Sequence, residues 1–253
     1  MSDHSAPLSG RTVLVTGASR GIGRSTAQAC VAQGARVVIH ASAASDAFTS
    51  IREELNIPAT CAIAEDLSAP GAGARLVAAA LAAAPELDAV VNNAGVYLPS
   101  PLGDAEAWEA GWALTMAVNV QAPADIARAA VAHFRKSGGG RIVNVASRAG
   151  HRGDGPEHAA YAASKGAILA LTKTLARALG GENILAYAVA PGWVETRMAP
   201  QDIENRKIAV KDIPLGRVAQ PDEVANLIAF LLADGCPSAT GATFDVNGAS
   251  YVR

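Results

Sequence analysis

The chain has 253 residues, 50% of them hydrophobic, 17% charged and 4% aromatic, with 24 Gly and 13 Pro. That length buries a substantial core, and that composition excludes a disordered or collagen-like chain. A formal charge of −2 leaves no basic footprint for nucleic acid or an anionic membrane, and no run approaches the about 20 apolar residues of a membrane span.

The opening residues MSDHSAPLSGR lack the apolar core of a signal peptide. Three scattered cysteines, Cys30, Cys61 and Cys236, form no disulfide framework and are expected as small buried hydrophobes. Together these predict a reducing, cytoplasmic setting. A β-rich run at residues 12–16 (TVLVT) precedes a helical pattern over 23–33. There follow a strand at 37–40, a helix at 46–55, a strand at 61–64 and an Ala-rich helix at 73–84 that Pro85 ends. Next come a strand at 89–92, helical stretches over 106–120 and 123–136, and a strand at 141–146. A helix at 161–179, a strand at 185–190, a helix at 221–233 and a strand at 243–246 complete the chain. Near-continuous apolar strands indicate a sheet covered on both faces, and strand–helix alternation indicates parallel βαβ units. The prediction is a single α/β domain over residues 1–253, a Rossmann-like, doubly wound, seven-stranded parallel sheet with helices on both faces.

Two stretches break the rhythm. Residues 148–160 (RAGHRGDGPEHAA) are polar and predicted to be a loop. Residues 195–216, with Pro200 and Pro214, are irregular and longer than most connections, so they are the candidate substrate lid.

The first strand runs into Thr16-Gly17-Ala18-Ser19-Arg20-Gly21-Ile22-Gly23 and then a helix. Glycines let the backbone turn tightly and approach a pyrophosphate, whose charge a helix N-terminus favours. Three of them in a strand–turn–helix context point to a nucleotide. Tyr161 and Lys165 stand four residues apart on a helix and share one face. An ammonium there favours the phenolate and lowers a tyrosine pKa of about 10 toward useful acid–base range. Alone, such a tyrosine is more often a packing residue; with Ser147 and Asn119 in the same chain it reads as a proton donor. No HExxH pattern or His/Asp/Glu cluster has metal-ligand spacing, so no metal is predicted, and no GxSxG elbow supports a hydrolase. His151 and His158 are expected as solvent-exposed loop residues, while His4 and His133 carry no signal.

With these residues in order, the sequence resembles the short-chain dehydrogenase/reductase family from about Leu8 to Tyr251. The likeness is carried by the glycine motif, Asn92-Asn93-Ala94-Gly95, Asn119 in VNV, Ser147 in NVASRAG, the YxxxK of Tyr161 and Lys165, and Pro191-Gly192-Trp193-Val194-Glu195-Thr196. The resemblance implies that Tyr161 donates a proton to a carbonyl oxygen as hydride arrives from the nicotinamide, and that Ser147 orients the same oxygen. It implies that Lys165 holds the nicotinamide ribose and tunes Tyr161, while Asn119 supports a proton-relaying water. Cofactor contacts are expected at Gly17, Ser19, Arg20, Gly21, Ile22 and Gly23, at His40 and Ser42, and at Asp66 and Leu67, with a helix cap as the other reading of Asp66. Others are expected at Asn93, Ala94 and Gly95, at Tyr161 and Lys165, and at Pro191, Gly192, Val194 and Thr196. Trp193 is read evenly as a pocket wall or a core residue.

The second strand ends Val38-Ile39-His40-Ala41-Ser42, where the acidic residue of NAD-binding relatives aligns with Ala41. A missing acid together with Arg20 predicts NADP(H), because a carboxylate repels a 2′-phosphate and a guanidinium fork binds it. The expectation is an NADPH-dependent ketoreductase most like 3-oxoacyl-[acyl-carrier-protein] reductases, taking a small carbonyl substrate or a carrier-protein or CoA thioester, as a homotetramer. Arg148 or Arg152 either meets a carrier's phosphopantetheine or acidic helix or stands as an ordinary surface charge. Rival readings are an NAD-linked polyol, sugar or hydroxy-steroid dehydrogenase and a catalytically silent nucleotide-sensing scaffold. Departures from the family pattern are a Ser147-to-Tyr161 gap longer by one residue, Tyr187 in place of Asn, and Asn247-Gly248-Ala249 in place of Asn-Gly-Gly.

Overall fold

Seven apolar runs become strands: β1 (Thr12–Val15), β2 (Arg36–Ala41), β3 (Ala62–Ala64), β4 (Ala89–Asn92), β5 (Gly140–Val145), β6 (Ile184–Pro191) and β7 (Thr243–Val246). The computed structural model describes residues 6–199 and 201–253; His4 and Pro200 lie outside the described residues. All strand pairs are parallel, in the order β3-β2-β1-β4-β5-β6-β7. The helices are α1 (Gly21–Ala32), α2 (Asp46–Glu54), α3 (Ala72–Ala83), α4 (Ala105–Met116) and α5 (Ala122–Ser137). After them come α6 (Ala149–Arg152), α7 (Ala159–Leu179), α8 (Ile203–Lys211) and α9 (Pro221–Leu232). Helix α1 packs against α9 and α3 against α5, with the sheet between the two pairs.

Strands buried on both faces explain the unbroken apolar runs: every residue of β1, β4, β5 and β6 is buried. Packing is close where the chain is small. A Cβ on Gly140, at the start of β5, would lie 2.3 Å from the ring of the fully buried Phe134 on α5. Buried polar side chains join the central strands to α7. The Asn92 amide on β4 donates to Asn144 Oδ1 on β5 at 2.8 Å, and Asn144 Nδ2 donates to Thr172 Oγ1 on α7 at 2.8 Å. Asn92 and Asn144 are direct partners in the ladder.

Several expectations change. The two helical stretches after β4 are joined by a π-helical turn, Ala117–Gln121, rather than a break. Pro123 lacks the N–H that an α-helix would aim at the Asn119 carbonyl four residues back, and the wider turn sits just before it. Residues 148–160 are not wholly loop, since α6 lies within them, and 195–216 are not irregular throughout, since they contain α8. The Asp202 carboxylate caps α8 by accepting from Asn205 N–H at 2.8 Å. Cys30 and Cys61 are buried as expected, whereas Cys236 is only half-buried. Tyr187 is buried on β6 with its hydroxyl 3.4 Å from the Cys236 carbonyl, so the polar contact at this departure from the family runs to the loop after α9. Ala249 adopts φ +66°, the left-handed region that explains a glycine there in relatives. Among the described residues no helix is long and apolar enough to cross a membrane.

Candidate active site

The glycine loop leaves β1 and enters α1 at the C-terminal edge of the sheet, where open α/β sheets take their ligands. Gly17 and Gly21 need positive φ, +66° and +53°. A Cβ on Gly23 would lie 2.2 Å from the Gly17 carbonyl, and one on Gly21 would lie 3.0 Å from Thr196 Cγ2. The first turn of α1 has no side-chain cap and no acidic residue. A glycine-lined cradle at an uncapped helix N-terminus fits the pyrophosphate of a dinucleotide. Arg20 at the N-cap position and Ser42 just beyond β2 are both in reach of solvent.

Hydrogen bonds tie this loop to the segment after β4. Thr16 Oγ1 accepts from the N–H groups of Asn93 and Ala94, each at 2.9 Å, and the Asn93 amide donates to the Thr16 carbonyl at 2.8 Å. Thr16 is a scaffold residue that motif reading passes over. His40 corrects an expectation. Its ring is buried, Nδ1 accepts from Gly17 N–H at 3.2 Å, and Nε2 bonds the Glu65 carbonyl at 2.9 Å. With both nitrogens committed to backbone, His40 positions Gly17 and has nothing left for a cofactor phosphate. Burial holds its pKa below the usual imidazole range. Asp66 also differs from the helix-cap reading: its carboxylate closes a turn by accepting from the Ser68 N–H and hydroxyl at 2.9 and 2.8 Å, well before α3 begins. Leu67 beside it is buried.

Asn119 sits in the π-turn and is buried. Its Oδ1 accepts from Val96 N–H at 2.8 Å, and its Nδ2 donates to the Val96 carbonyl at 2.9 Å and to Ser164 Oγ at 3.1 Å. Ser164, another residue absent from the sequence expectations, passes the link on by donating to the Tyr161 carbonyl at 2.7 Å. A Cβ on Gly95 would lie 3.2 Å from Asn119 Oδ1 and 3.6 Å from Lys165 Nζ, so three separate segments converge here. Lys165 Nζ donates to the Val145 carbonyl at 2.8 Å, and its ammonium lies 5.6 Å from the centroid of the Tyr161 ring. Burial pushes Lys165 down to about 8. Burial raises the Tyr161 phenol to about 12, against the lowering by Lys165 that the sequence predicts, because desolvation outweighs every nearby group; Ser147 alone pulls it the other way. Ser147, buried just past β5, also accepts from Ala149 N–H at 3.1 Å.

An aromatic wall flanks the phenol. Tyr97 stacks on His158 with ring centroids 3.8 Å apart, and meets Tyr161 edge-on at 4.7 Å and Trp193 edge-on at 6.2 Å. Half-buried Trp193 is therefore a wall of the cleft rather than a core residue. The loop bearing Tyr97 is fixed to the start of α7 by Ser100, whose hydroxyl accepts from Ala160 N–H at 3.0 Å. His158 and His151 are not free loop residues as expected, since His151 stacks on Tyr251 at 5.5 Å. Arg148 is no surface charge either, at 7% exposure. Val194 pairs with Ala219 in an isolated bridge, and Thr196 Oγ1 accepts from Met198 N–H at 3.2 Å. No group of three or more His, Cys, Asp or Glu side chains suited to a metal occurs among the described residues.

A family described as Enoyl-(Acyl carrier protein) reductase matches residues 17–249, spanning every segment that builds this cleft. The chain belongs to the short-chain dehydrogenase/reductase family. Two relatives match nearly the whole chain. L-xylulose reductase of Homo sapiens is 36% identical over 246 residues, covering 95% of this chain and 96% of its own. The 3-oxoacyl-[acyl-carrier-protein] reductase of Synechocystis is 35% identical over 246 residues, covering 95% and 97%. The solved 3-oxoacyl (acyl-carrier-protein) reductase of Agrobacterium tumefaciens C58, with NADP bound, superposes with a TM-score of 0.85 at 30% identity, covering 95% of this chain and 94% of that one. This short-chain dehydrogenase/reductase is an NAD(P)-dependent oxidoreductase.

Proposed function

We propose that the enzyme uses NADPH to reduce a ketone, a 3-oxoacyl thioester or a related carbonyl compound, to a secondary alcohol. The observation that carries this reading is the meeting of Tyr161, Ser147 and Lys165 at the C-terminal edge of the sheet, with Ser147 and Lys165 buried beside the phenol and the ammonium 5.6 Å from its ring centroid. Bound NADPH supplies the hydride. Tyr161 gives its proton to the carbonyl oxygen, and Ser147 orients that oxygen and stabilises its developing charge. Lys165 favours the phenolate that Tyr161 becomes and holds the nicotinamide ribose. Asn119 fixes the end of α7 through Ser164 and keeps Lys165 in register. Gly17, Ser19, Arg20, Gly21, Ile22 and Gly23 hold the pyrophosphate side, Asp66, Leu67, Asn93, Ala94 and Gly95 the adenosine side, and Pro191, Gly192, Val194 and Thr196 the carboxamide. The choice of NADPH over NADH rests on Arg20 and on Ala41, where no carboxylate repels a 2′-phosphate.

A second reading, a sugar or polyol oxidoreductase, is favoured by the aromatic wall of Tyr97, His158 and Trp193, which suits a compact substrate. The test is an NADPH-oxidation screen over β-ketoacyl thioesters, simple ketones and keto-sugars, with NADH in parallel. Tyr161→Phe is expected to lower turnover about 10²–10⁴-fold with cofactor affinity within a few-fold. Arg20→Ala is expected to weaken NADPH more than NADH. A variant lacking the phenol hydroxyl yet keeping most of the rate refutes the proton donor, and higher efficiency with NADH refutes the cofactor assignment. The homotetramer is checked by the mass in solution.

A further inference from the structure

Arg148 follows Ser147 directly and is buried, yet its guanidinium makes no hydrogen bond among the described residues; Nη1 is fully enclosed and unpartnered. The nearest carboxylate, Asp212 Oδ2 beyond the end of α8, stands 3.8 Å from Nη1 and is already bound by Arg152 at 3.0 Å. The other nearby acid, Asp154, makes no ion pair with Arg148 and accepts from Gly155 N–H at 2.9 Å. Burial and the neighbouring Arg152 both disfavour the charged guanidinium. A buried arginine with open donors is expensive unless something completes its hydrogen bonds. Its position says where that partner would sit. Arg148 adjoins Ser147 in the chain and its Nη1 faces Asp212 of the 195–216 segment, so the guanidinium stands between Ser147 and that segment.

Resting on the ketoreductase reading, the geometry points to Arg148 as a specificity residue that takes a carboxylate carried by the substrate within a few atoms of the reacting ketone. A planar fork of donors matches a carboxylate in two parallel bonds. A carrier-arm thioester offers only a neutral carbonyl at that distance, and its phosphate lies a full pantetheine length away. The substrate class selected is therefore a compact keto acid, one small enough for the aromatic wall.

Acetoacetate and ethyl acetoacetate share the same ketone and differ in the charge beside it. Titrated calorimetrically into the protein saturated with NADP+, the acid is expected to bind about tenfold or more tightly than the ester. Arg148→Met is expected to bring the two within about twofold, by weakening the acid alone. An acid that binds no tighter than the ester, whether both bind or neither does, overturns the proposal without any variant. A wild-type preference that survives in Arg148→Met overturns it as well, and a merely structural Arg148 would weaken both ligands together. Turnover with NADPH separates this from the parent reading. Reduction of the ester without preference for the acid leaves the ketoreductase standing and removes Arg148 from recognition. Absence of reduction for every ketone in the screen removes the parent reading itself.

Discussion

Replacing His40 by Leu tests whether one buried imidazole holds the cofactor loop in shape. The ring spans Gly17 N–H and the Glu65 carbonyl, and leucine satisfies neither. A buried polar group stripped of its partner costs about 1–3 kcal/mol, and both groups border the cleft, where water replaces part of each bond, so the expected loss is about 2–3 kcal/mol in all. The ring nitrogens also give a pH signature. Nδ1 accepts from Gly17, so protonating it would set two donors against each other, and the folded pKa lies below the reference value of 6.5. Above that value both states are neutral and His40 contributes no slope. As pH falls below it the unfolded chain takes up a proton that the folded one refuses, and stability drops by about 1.4 kcal/mol per unit down to the folded pKa. His151, also held low by burial, contributes the same sign, so the difference between wild type and His40→Leu isolates His40. Urea titrations at pH 7.0 and 5.5 measure both effects, and NADPH titration is expected to show weakened affinity with kcat at saturation little changed. A variant within about 0.5 kcal/mol of wild type that keeps the full acid slope refutes the bridge.

Lys165 predicts an alkaline slope of its own. Its folded pKa of about 8 lies below the reference 10.5, so between them the unfolded chain binds the extra proton and stability rises with pH, by about 3 kcal/mol over the window, a rise that Lys165→Met is expected to lose in urea titrations. Tyr161, raised to about 12, acts in the opposite sense above pH 10, so the comparison belongs below it. Ala249→Gly is expected to gain about 0.5–1 kcal/mol by calorimetric melting, since an L-residue at positive φ costs about 1–2 kcal/mol and glycine's added chain freedom returns part of it. We propose that residues 195–216 close as a lid, anchored by the Glu195–Arg206 and Asp212–Arg152 pairs. Limited proteolysis there is expected to slow with cofactor and substrate together, and equal cleavage with and without them refutes the lid.

The seven strands were legible because each is a short apolar run, and their number and parallel sense followed from the helices between them. Ser147, Tyr161, Lys165 and Asn119 were legible because motif spacing ties each to the end of an element, and the structure gathers them. Long-range geometry was not legible. The polar composition of 148–160 predicts exposure, yet Arg148 is enclosed by neighbours such as Asp212 that lie far along the chain. His158 is captured by Tyr97 for the same reason. Helix α8 was missed because Pro214 and the irregular sequence suggested a loop, although Asp202 followed by Glu204 is a helix-start signal. The role of His40 follows only from where β1 and β2 end relative to each other.

The Asn92–Asn144–Thr172 ladder has a consequence for how the chain finds its fold. Strands buried on both faces carry no alternation, so sliding β4 along β5 by one position would keep nearly the same greasy surface inside. Such a slip would displace everything downstream of β5 by about 3.3 Å and turn Ser147 away from the phenol. The Asn92–Asn144 bond discriminates between the two pairings, because in the wrong one the Asn92 Nδ2 donor and the Asn144 Oδ1 acceptor would lose each other inside hydrocarbon. Two asparagines thus act as a key cut for one alignment, and the accuracy of a catalytic centre at the rim is written into a polar contact deep inside the sheet.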